Sequence, residues 1–433
     1  MALGGGVFIT QNKVLPGSYM NFVSAARATA ALSERGTATV PIAMEWGPLG
    51  EVAEVSAGEF QLNSMGLFGL EYTAPELRGL RELFRNVRTA YLYRMGTGGA
   101  KATNGLATAK HAGTRGNELK VTVIRSADDA DAYEVSLYLG GVRVFAQTAA
   151  DMAGLADNPY VDWKRDGVLE PTAGTPLAGG ESPEVTNGDY QRYLDRIEPF
   201  SFNAMGCPSG DPAVKALFAA FTKRMRDEQG VKFVCVAQDC PADHEGVINV
   251  MNQVRNGEPW GLVYWVTGLA AGTAVNKSAM NRVYDGEMDP EADYTQTQLE
   301  RAIKGGLFAL HRVGPDIRVL ADINSLVNVT ADKGEDFKQN QTVRVIDQIA
   351  NDIAVLFNTK YLGAVPNDED GRISLWADIV KHHEQLQTIR AIEGFSGENV
   401  RVTLGANKRA VTVHDAIEVV NAMGQIYMTV TVS

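Results

Sequence analysis

At 433 residues the chain exceeds what a single hydrophobic core usually supports, so two to four domains are expected. With 45% hydrophobic and 21% charged residues it is not a disordered chain, and a formal net charge of -12 without a long basic run excludes the phosphate-driven attraction behind nucleic-acid binding. No apolar run approaches bilayer length, the first thirty residues lack the features of a secretory signal, and Cys207, Cys235 and Cys240 have no paired spacing, which argues against a disulfide framework and fits a reducing compartment.

In chain order, "GGGVFITQNKVLPGSYMNF" mixes glycines, a short apolar run at Val7, Phe8 and Ile9, and the Pro16-Gly17 step. It is expected to be extended and tethered rather than packed. "TATVPIAMEWGPLG" predicts a strand and turn punctuated at Gly47-Pro48. "APELRGLRELFRNV" has helical spacing at Leu77, Leu80, Leu83 and Phe84, and "RTAYLYRM" follows as a buried strand. This alternation predicts α/β architecture.

From Gly96 the texture changes. "GTGGAKATNG" has linker composition, "NELKVTVIR" and "YEVSLYLGGVRVFAQT" predict strands with a hairpin at Gly140-Gly141, and "LEPTAGTPLAGGESPEVTNGD" predicts a long loop. The block is expected to be a mostly β insertion. Next comes a helix with Asp211 as N-cap, Pro212 at its first position and Gly230 as its stop, then a strand at 231–236. "GLVYWV" and "DIRVLADIN" are expected as further buried strands.

The last third opens with the helix "VRVIDQIANDIAVLF", striped by Val343, Ile346, Ile349, Ile353 and Phe357. After the turn "VPNDEDGR" come a second helix, "ISLWADIVKHHEQLQTIRAI", and the hairpin "ENVRVTLGANKRAVTV". "QIYMTVTVS" then places Ile426, Met428, Val430 and Val432 on one face of an extended strand and Tyr427, Thr429 and Thr431 on the other. The expected division is an N-terminal arm 1–24, a first α/β part 25–95, a β-rich insertion 96–188, a central α/β domain 189–325, a C-terminal inner domain 326–420 and an arm strand 421–433. No repeat of fixed period is visible.

The candidate chemistry is weak. "GLAAGTAVNKS" is the nearest approach to a phosphate loop, but Lys277 lies five residues beyond Gly272 instead of directly after it. "DGEMDPEADYT" alternates Asp285, Glu287, Asp289, Glu291 and Asp293, yet Pro290 and Gln296 stand where a calcium loop needs glycine and glutamate; a solvated acidic loop is expected. His382 and His383 are adjacent on a predicted helix, about 100° apart, and cannot form a same-face metal pair. Cys235 has the surroundings of a core filler. No nucleophile elbow appears. Arg372, Lys381, His382 and Arg390 place positive charge along one helix of an acidic protein. They form either a patch that docks on an acidic partner or a solvated face paired with Asp378 and Glu384.

Taken in order, "GGGVFITQNKVLPGSYMNFVSA", "RGTATVPIAMEWGPLGEV", "FRNVRTAYLYR", "GTRGNELKVTV", "VLADINSLV", "FKQNQTVRVIDQIANDIA", "YLGAVPNDEDGR" and "AIEGF" give the whole chain its resemblance to contractile tail sheath proteins. The type is the compact one of Gram-positive phages, defective prophages and phage-tail-like bacteriocins. The resemblance implies a mixed α/β, multidomain fold: an inner domain from the N- and C-terminal parts, outward insertions including a mostly β domain, and extended arms. Subunits would polymerise as a helix or stacked rings around an inner tail tube protein, with baseplate and tail terminator proteins as further partners. Val7, Phe8 and Ile9 and the Ile426, Met428, Val430 and Val432 face would be donated to neighbouring sheets, and Arg372, Lys381, His382 and Arg390 would be the tube-docking candidates. No enzyme activity, nucleotide, cofactor, metal, direct nucleic-acid contact or membrane insertion is implied. The protein would be made in the bacterial cytoplasm and assembled into a virion tail or tail-like particle. The alternatives are an α/β enzyme such as a hydrolase, or another tail assembly protein; tail tubes are shorter and more purely β.

Overall fold

The computed structural model describes residues 32–432, so Val7, Phe8 and Ile9 lie outside the described residues. Contacts divide the chain into two units, residues 34–348 with 419–432, and residues 349–418 with Leu32 and Ser33.

The larger unit begins with Thr37–Ile42 (β1) and Val52–Ser56 (β2), followed by helices Ala57–Phe68 (α1) and Arg78–Phe84 (α2) and by strand Thr89–Arg94 (β3). The start of α1 is a capping box: Ser56 accepts from the Glu59 amide and the Glu59 carboxylate accepts from the Ser56 amide. The chain then enters the insertion, with strands Ala107–Ala109 (β4), Leu119–Arg125 (β5), Tyr133–Leu139 (β6), Val142–Ala149 (β7), Val161–Trp163 (β8) and Thr172–Pro176 (β9). Its main sheet runs β7-β6-β5-β9, antiparallel throughout, with β4 and β8 paired beside it. Gly140 and Gly141 have φ +55° and +87°, the turn whose twist matches the flanking strands. Leu119, Val121, Val123, Val135, Leu137, Leu139 and Trp163 form the insertion's own core. Where the chain enters and leaves, Thr97 pairs with Glu184 and Ala100 with Glu181, so the two connecting segments run side by side.

The returning chain builds Asn187–Ile197 (α3), Ala204–Cys207 (β10), Pro212–Lys223 (α4), Val234–Gln238 (β11), Val247–Val250 (β12), Leu262–Gly272 (α5), Gln296–Lys304 (α6) and Leu307–Phe308 (β13), then the hairpin of Leu310–Val313 (β14) and Asp316–Val319 (β15). The stretches on either side of the insertion share one seven-stranded sheet, ordered β13-β12-β11-β10-β1-β3-β2. All its pairings are parallel except β2 with β3. Parallel strands covered on both faces are apolar on both faces, and the alternation shows it. Ala38, Val40, Ala204 and Val236 point into one core with α2 and α5, while Met205, Cys207, Cys235 and Ala237 point into the other with Tyr193 and Phe218. Burial raises the Cys235 thiol well above its ordinary pKa, as befits a core filler.

Three expectations are corrected here. "GLVYWV" is not a strand but the start of α5, whose Leu262, Val263, Trp265 and Val266 are all buried; a helix buried all round shows no period to read. "GLAAG" is the second half of that helix, and its glycines serve packing. A Cβ on Gly268 would stand 2.4 Å from Leu83 O, and one on Gly272 only 1.8 Å from Asn86 O, so α5 can cross this backbone only as glycine. "DIRVLADIN" contributes only β15, half of a small and partly exposed hairpin. The expected strand at 231–236 starts later, at Val234.

The second unit takes over within Asn340–Leu356 (α7), and continues with Glu369–Thr388 (α8), the short Ile392–Glu393 (β16), and the antiparallel hairpin Val400–Leu404 (β17) and Val411–Asp415 (β18). α8 packs on β17, burying Leu375, Ile379 and Leu386. Trp376 donates from Nε1 to Gly397 O and Val400 O (3.1 and 3.0 Å). Of the predicted α7 stripe, Val343 is buried and Ile346, Ile349, Ile353 and Phe357 are half-buried. The helix also buries Arg344, Asp347, Gln348 and Asp352, so it is enclosed on its polar side too.

Candidate assembly interface

Residues 420–432 form no helix or turn and belong to no described strand ladder. The apolar face predicted for them is bare: Ile426 is 86% exposed, Val430 69% and Val432 89%, with Tyr427 on the other face 89% exposed. Contiguous exposed apolar surface on a strand with unpaired backbone marks an association site. The segment is nevertheless anchored at its root. Gln341, in the first turn of α7, donates from Nε2 to Val420 O (3.0 Å) and accepts from Ala422 N at Oε1 (2.9 Å). Asn421 donates from Nδ2 to Thr342 Oγ1 (3.0 Å).

The docking candidates do not form one surface. His382 is 1% exposed and donates from Nε2 to Asp352 (2.9 Å), so it is withdrawn as a contact residue. His383 beside it donates from Nδ1 to Ile379 O (2.9 Å) and faces Asp415 with Nε2 (2.8 Å). The same Asp352 receives the Ser33 amide (3.3 Å), and Gln385 receives that of Leu32. The histidines are thus internal fasteners linking α7, α8, β18 and the segment before β1. Arg372 is half-buried and turned onto Asn367 O and Oδ1 (3.0 and 3.1 Å). Lys381 and Arg390 are exposed. Nine residues is two and a half turns, which sets Arg372 and Lys381 on opposite sides of α8. Asp378, an expected partner of this charge, is taken by Lys360 and the Tyr361 hydroxyl.

The stretch expected to be a solvated acidic loop does carry all five of its carboxylates, Asp285, Glu287, Asp289, Glu291 and Asp293, at exposed positions, and three of them also tie it to the fold. Glu287 forms a forked pair with Arg81, Asp285 accepts from Trp265 Nε1 (2.9 Å), and Asp293 accepts from Arg312 Nε (2.6 Å).

One further cluster was invisible in the sequence. Asp227, His244 and Glu245 bring three ligand-type atoms within 4.8 Å of one another. Their bonding opposes a metal. The Gly246 amide can only donate, so His244 Nδ1 accepts from it (3.0 Å), and the ring proton sits on Nε2, donating to Asp227 (3.0 Å). Lys333 Nζ is 2.8 Å from Glu245 and 3.6 Å from Asp227, where a cation would lie. Burial lowers the His244 pKa, consistent with a ring held neutral. Beside it Arg226 forms a two-point pair with Asp347 (2.6 and 2.8 Å), both side chains at most 7% exposed. The cluster joins the end of α4, the loop before β12 and α7 without an open reacting centre.

Among the described residues no helix is long and apolar enough to cross a membrane.

Four family models match consecutive parts of the chain: "Tail sheath protein Gp18 domain III N-terminal region" at residues 35–95, "Phage tail sheath protein beta-sandwich domain" at 97–182, "Phage tail sheath protein central domain" at 183–325 and "Phage tail sheath C-terminal domain" at 332–433. Phage-like element PBSX protein XkdK of Bacillus subtilis is 33% identical across 100% of both chains. The crystal structure of the sheath tail protein from Desulfitobacterium hafniense is 34% identical, with 95% of this chain and 99% of that one covered and a TM-score of 0.79. The helical sheath of the anti-feeding prophage in its contracted state shares the fold at 16% identity, with a TM-score of 0.57 over 97% of this chain and 99% of that one.

Proposed function

The chain belongs to the phage tail sheath protein family, and from that premise we propose that it is the repeating subunit of a contractile sheath that encloses an inner tail tube and shortens to drive the tube through a target envelope. The observation that carries this reading is the exposed, unpaired segment at 423–432, which we read as a strand awaiting a partner. Its backbone groups and its Ile426, Met428, Val430 and Val432 face lack partners among the described residues of one subunit. Adding the strand to a neighbour's sheet satisfies both at once. The hairpin β17–β18, with Leu404 and Val413 exposed, is a suitable acceptor. Such head-to-tail contacts either close into rings, which can stack, or run on as an open helix. Val7, Phe8 and Ile9 are proposed as a second donated strand, and Lys381 and Arg390 as the remaining tube-facing charges. Tube, baseplate and tail terminator are the heterologous partners in this reading.

The test is negative-stain electron microscopy of the full-length chain beside a version ending at Asn421. Striated rods or hollow tubes from the full-length chain, and single particles from the shortened one, are expected. Discrete particles from both, even with tube and baseplate added, would refute it.

A further inference from the structure

The bare strand leaves the body at a defined place. Gln341 does with one side chain what a neighbouring strand does with its backbone. Its carbonyl accepts the Ala422 N–H at 2.9 Å and its amide nitrogen donates to Val420 O at 3.0 Å, a two-way amide pairing with residues 420–422. Asn421, between them, is held by Thr342 Oγ1. The holder is itself fixed. Gln341 is 4% exposed, and the neighbouring Asn340 donates from Nδ2 to Asp322 Oδ1 and Ile323 O (3.0 and 2.9 Å). Arg344, one turn further along, donates to Lys277 O at 2.6 Å and to Asp322 at 3.3 Å. After Ala422 the backbone has no such partner among the described residues, and the ten residues 423–432 would reach roughly 33 Å as a strand.

We propose that Gln341, seconded by Thr342, is a positioning clip that fixes the root of the arm, so that the strand is presented to its acceptor from a fixed point and a pull on it is delivered to α7. This rests on the reading of 423–432 as a donated strand. A tethered strand searches a volume set by its free length, so releasing the root lowers its effective concentration at the acceptor and lets load peel the segment back to Val419, where strand pairing resumes. The clip needs an amide at 341: a carboxylate would lose the donor, and an alanine both contacts.

The experiment uses the full-length protein and reads the critical concentration for polymer formation by sedimentation, together with deuterium exchange of residues 420–432 in the unassembled subunit. Ala422→Pro removes the N–H that Gln341 accepts, at an exposed position that the fold does not need. Gln341→Ala removes the clip from the other side. Each is expected to speed exchange at the root and to raise the critical concentration about tenfold, the loss of one or two ordinary hydrogen bonds. Because both delete the same contact, the double variant should be no worse than the poorer single one. Should Gln341→Ala fail to fold, Ala422→Pro still decides the question. Polymerisation of Ala422→Pro at the wild-type concentration, or additive effects in the double variant, would overturn the clip. The chain ending at Asn421 separates the two ideas: if it polymerises normally, strand donation itself is wrong, whereas if it fails while Ala422→Pro succeeds, only the clip is wrong.

Discussion

Val430→Asp gives a strict test of the donated strand. Val430 is 69% exposed in the single subunit, so an aspartate there costs the folded body almost nothing. In the donated strand we propose, the same position would face the acceptor's core. Burying a valine side chain is worth about 1.5–2 kcal/mol, and burying an unpartnered polar group costs at least about 2–3 kcal/mol more. The sum of about 4 kcal/mol corresponds to roughly a thousandfold rise in critical concentration. Val430→Ala removes only two methyl groups, about 1–2 kcal/mol, and should raise it roughly five- to thirtyfold. Thr429→Asp and Thr431→Asp, on the opposite face, should have much smaller effects. Sedimentation and electron microscopy would measure assembly, and thermal melting of the unassembled subunit would show the body unchanged. Normal polymers from Val430→Asp, or an equal loss from Thr429→Asp, would refute the one-faced burial on which the reasoning stands.

Other expectations concern the body and the tube. Asp347→Asn should destabilise the larger unit by about 3–5 kcal/mol in urea unfolding, because it strands the buried Arg226 charge; Arg226→Met with Asp347→Leu should recover most of that, and a single-variant loss below about 1 kcal/mol would contradict the pairing. Burial, helped by Arg94, Lys101 and Lys110, lowers His111 to about 4. Between pH 6.5 and about 4 the unfolded chain therefore binds a proton that the folded chain refuses, so His111 makes stability fall as pH drops through that window; the melting temperature of His111→Gln should depend less on pH there than wild type. Arg390 has φ +59°, so Arg390→Gly should stabilise the fold by about 1 kcal/mol while removing a charge. Combined with Lys381→Glu it should weaken retention of the tube in a pull-down but leave self-assembly intact; unchanged retention would remove the docking assignment.

Much of the fold was legible where periodicity and punctuation agree. The Asp211-Pro212 cap, the Gly140-Gly141 hairpin and the alternation in "VRVTL" against "VTVHD" all produced the expected elements. α1 was missed although Ser56 and Glu59 carry the capping-box spacing, because Gly58 and Gly66 dilute its apolar stripe. α5 was misread because its environment is apolar on every side, and periodicity reports only a contrast between faces. The candidate site divides in the same way. The apolar alternation at 426–432 is legible because one face differs from the other, and its pairing as a donated strand is our proposal. His382 could not be placed, since Asp352 lies thirty residues away in sequence and nothing local distinguishes a buried fastener from a surface charge. Gln341 gave no signal at all: a glutamine in a helix's first turn becomes informative only when the backbone it pairs with is seen, 79 residues later for Val420.

The side-by-side pairing of Thr97 with Glu184 and Ala100 with Glu181 separates two design problems within one chain. Since entry and exit lie a ladder's width apart, the seven-stranded sheet experiences the whole of 101–180 as little more than a hairpin turn. A guest domain with adjacent termini could replace it once the uncovered Trp46, now 1% exposed, is made polar. The neck would then act as a port: one guest per subunit, repeated along the lattice, leaving the arm and its clip untouched.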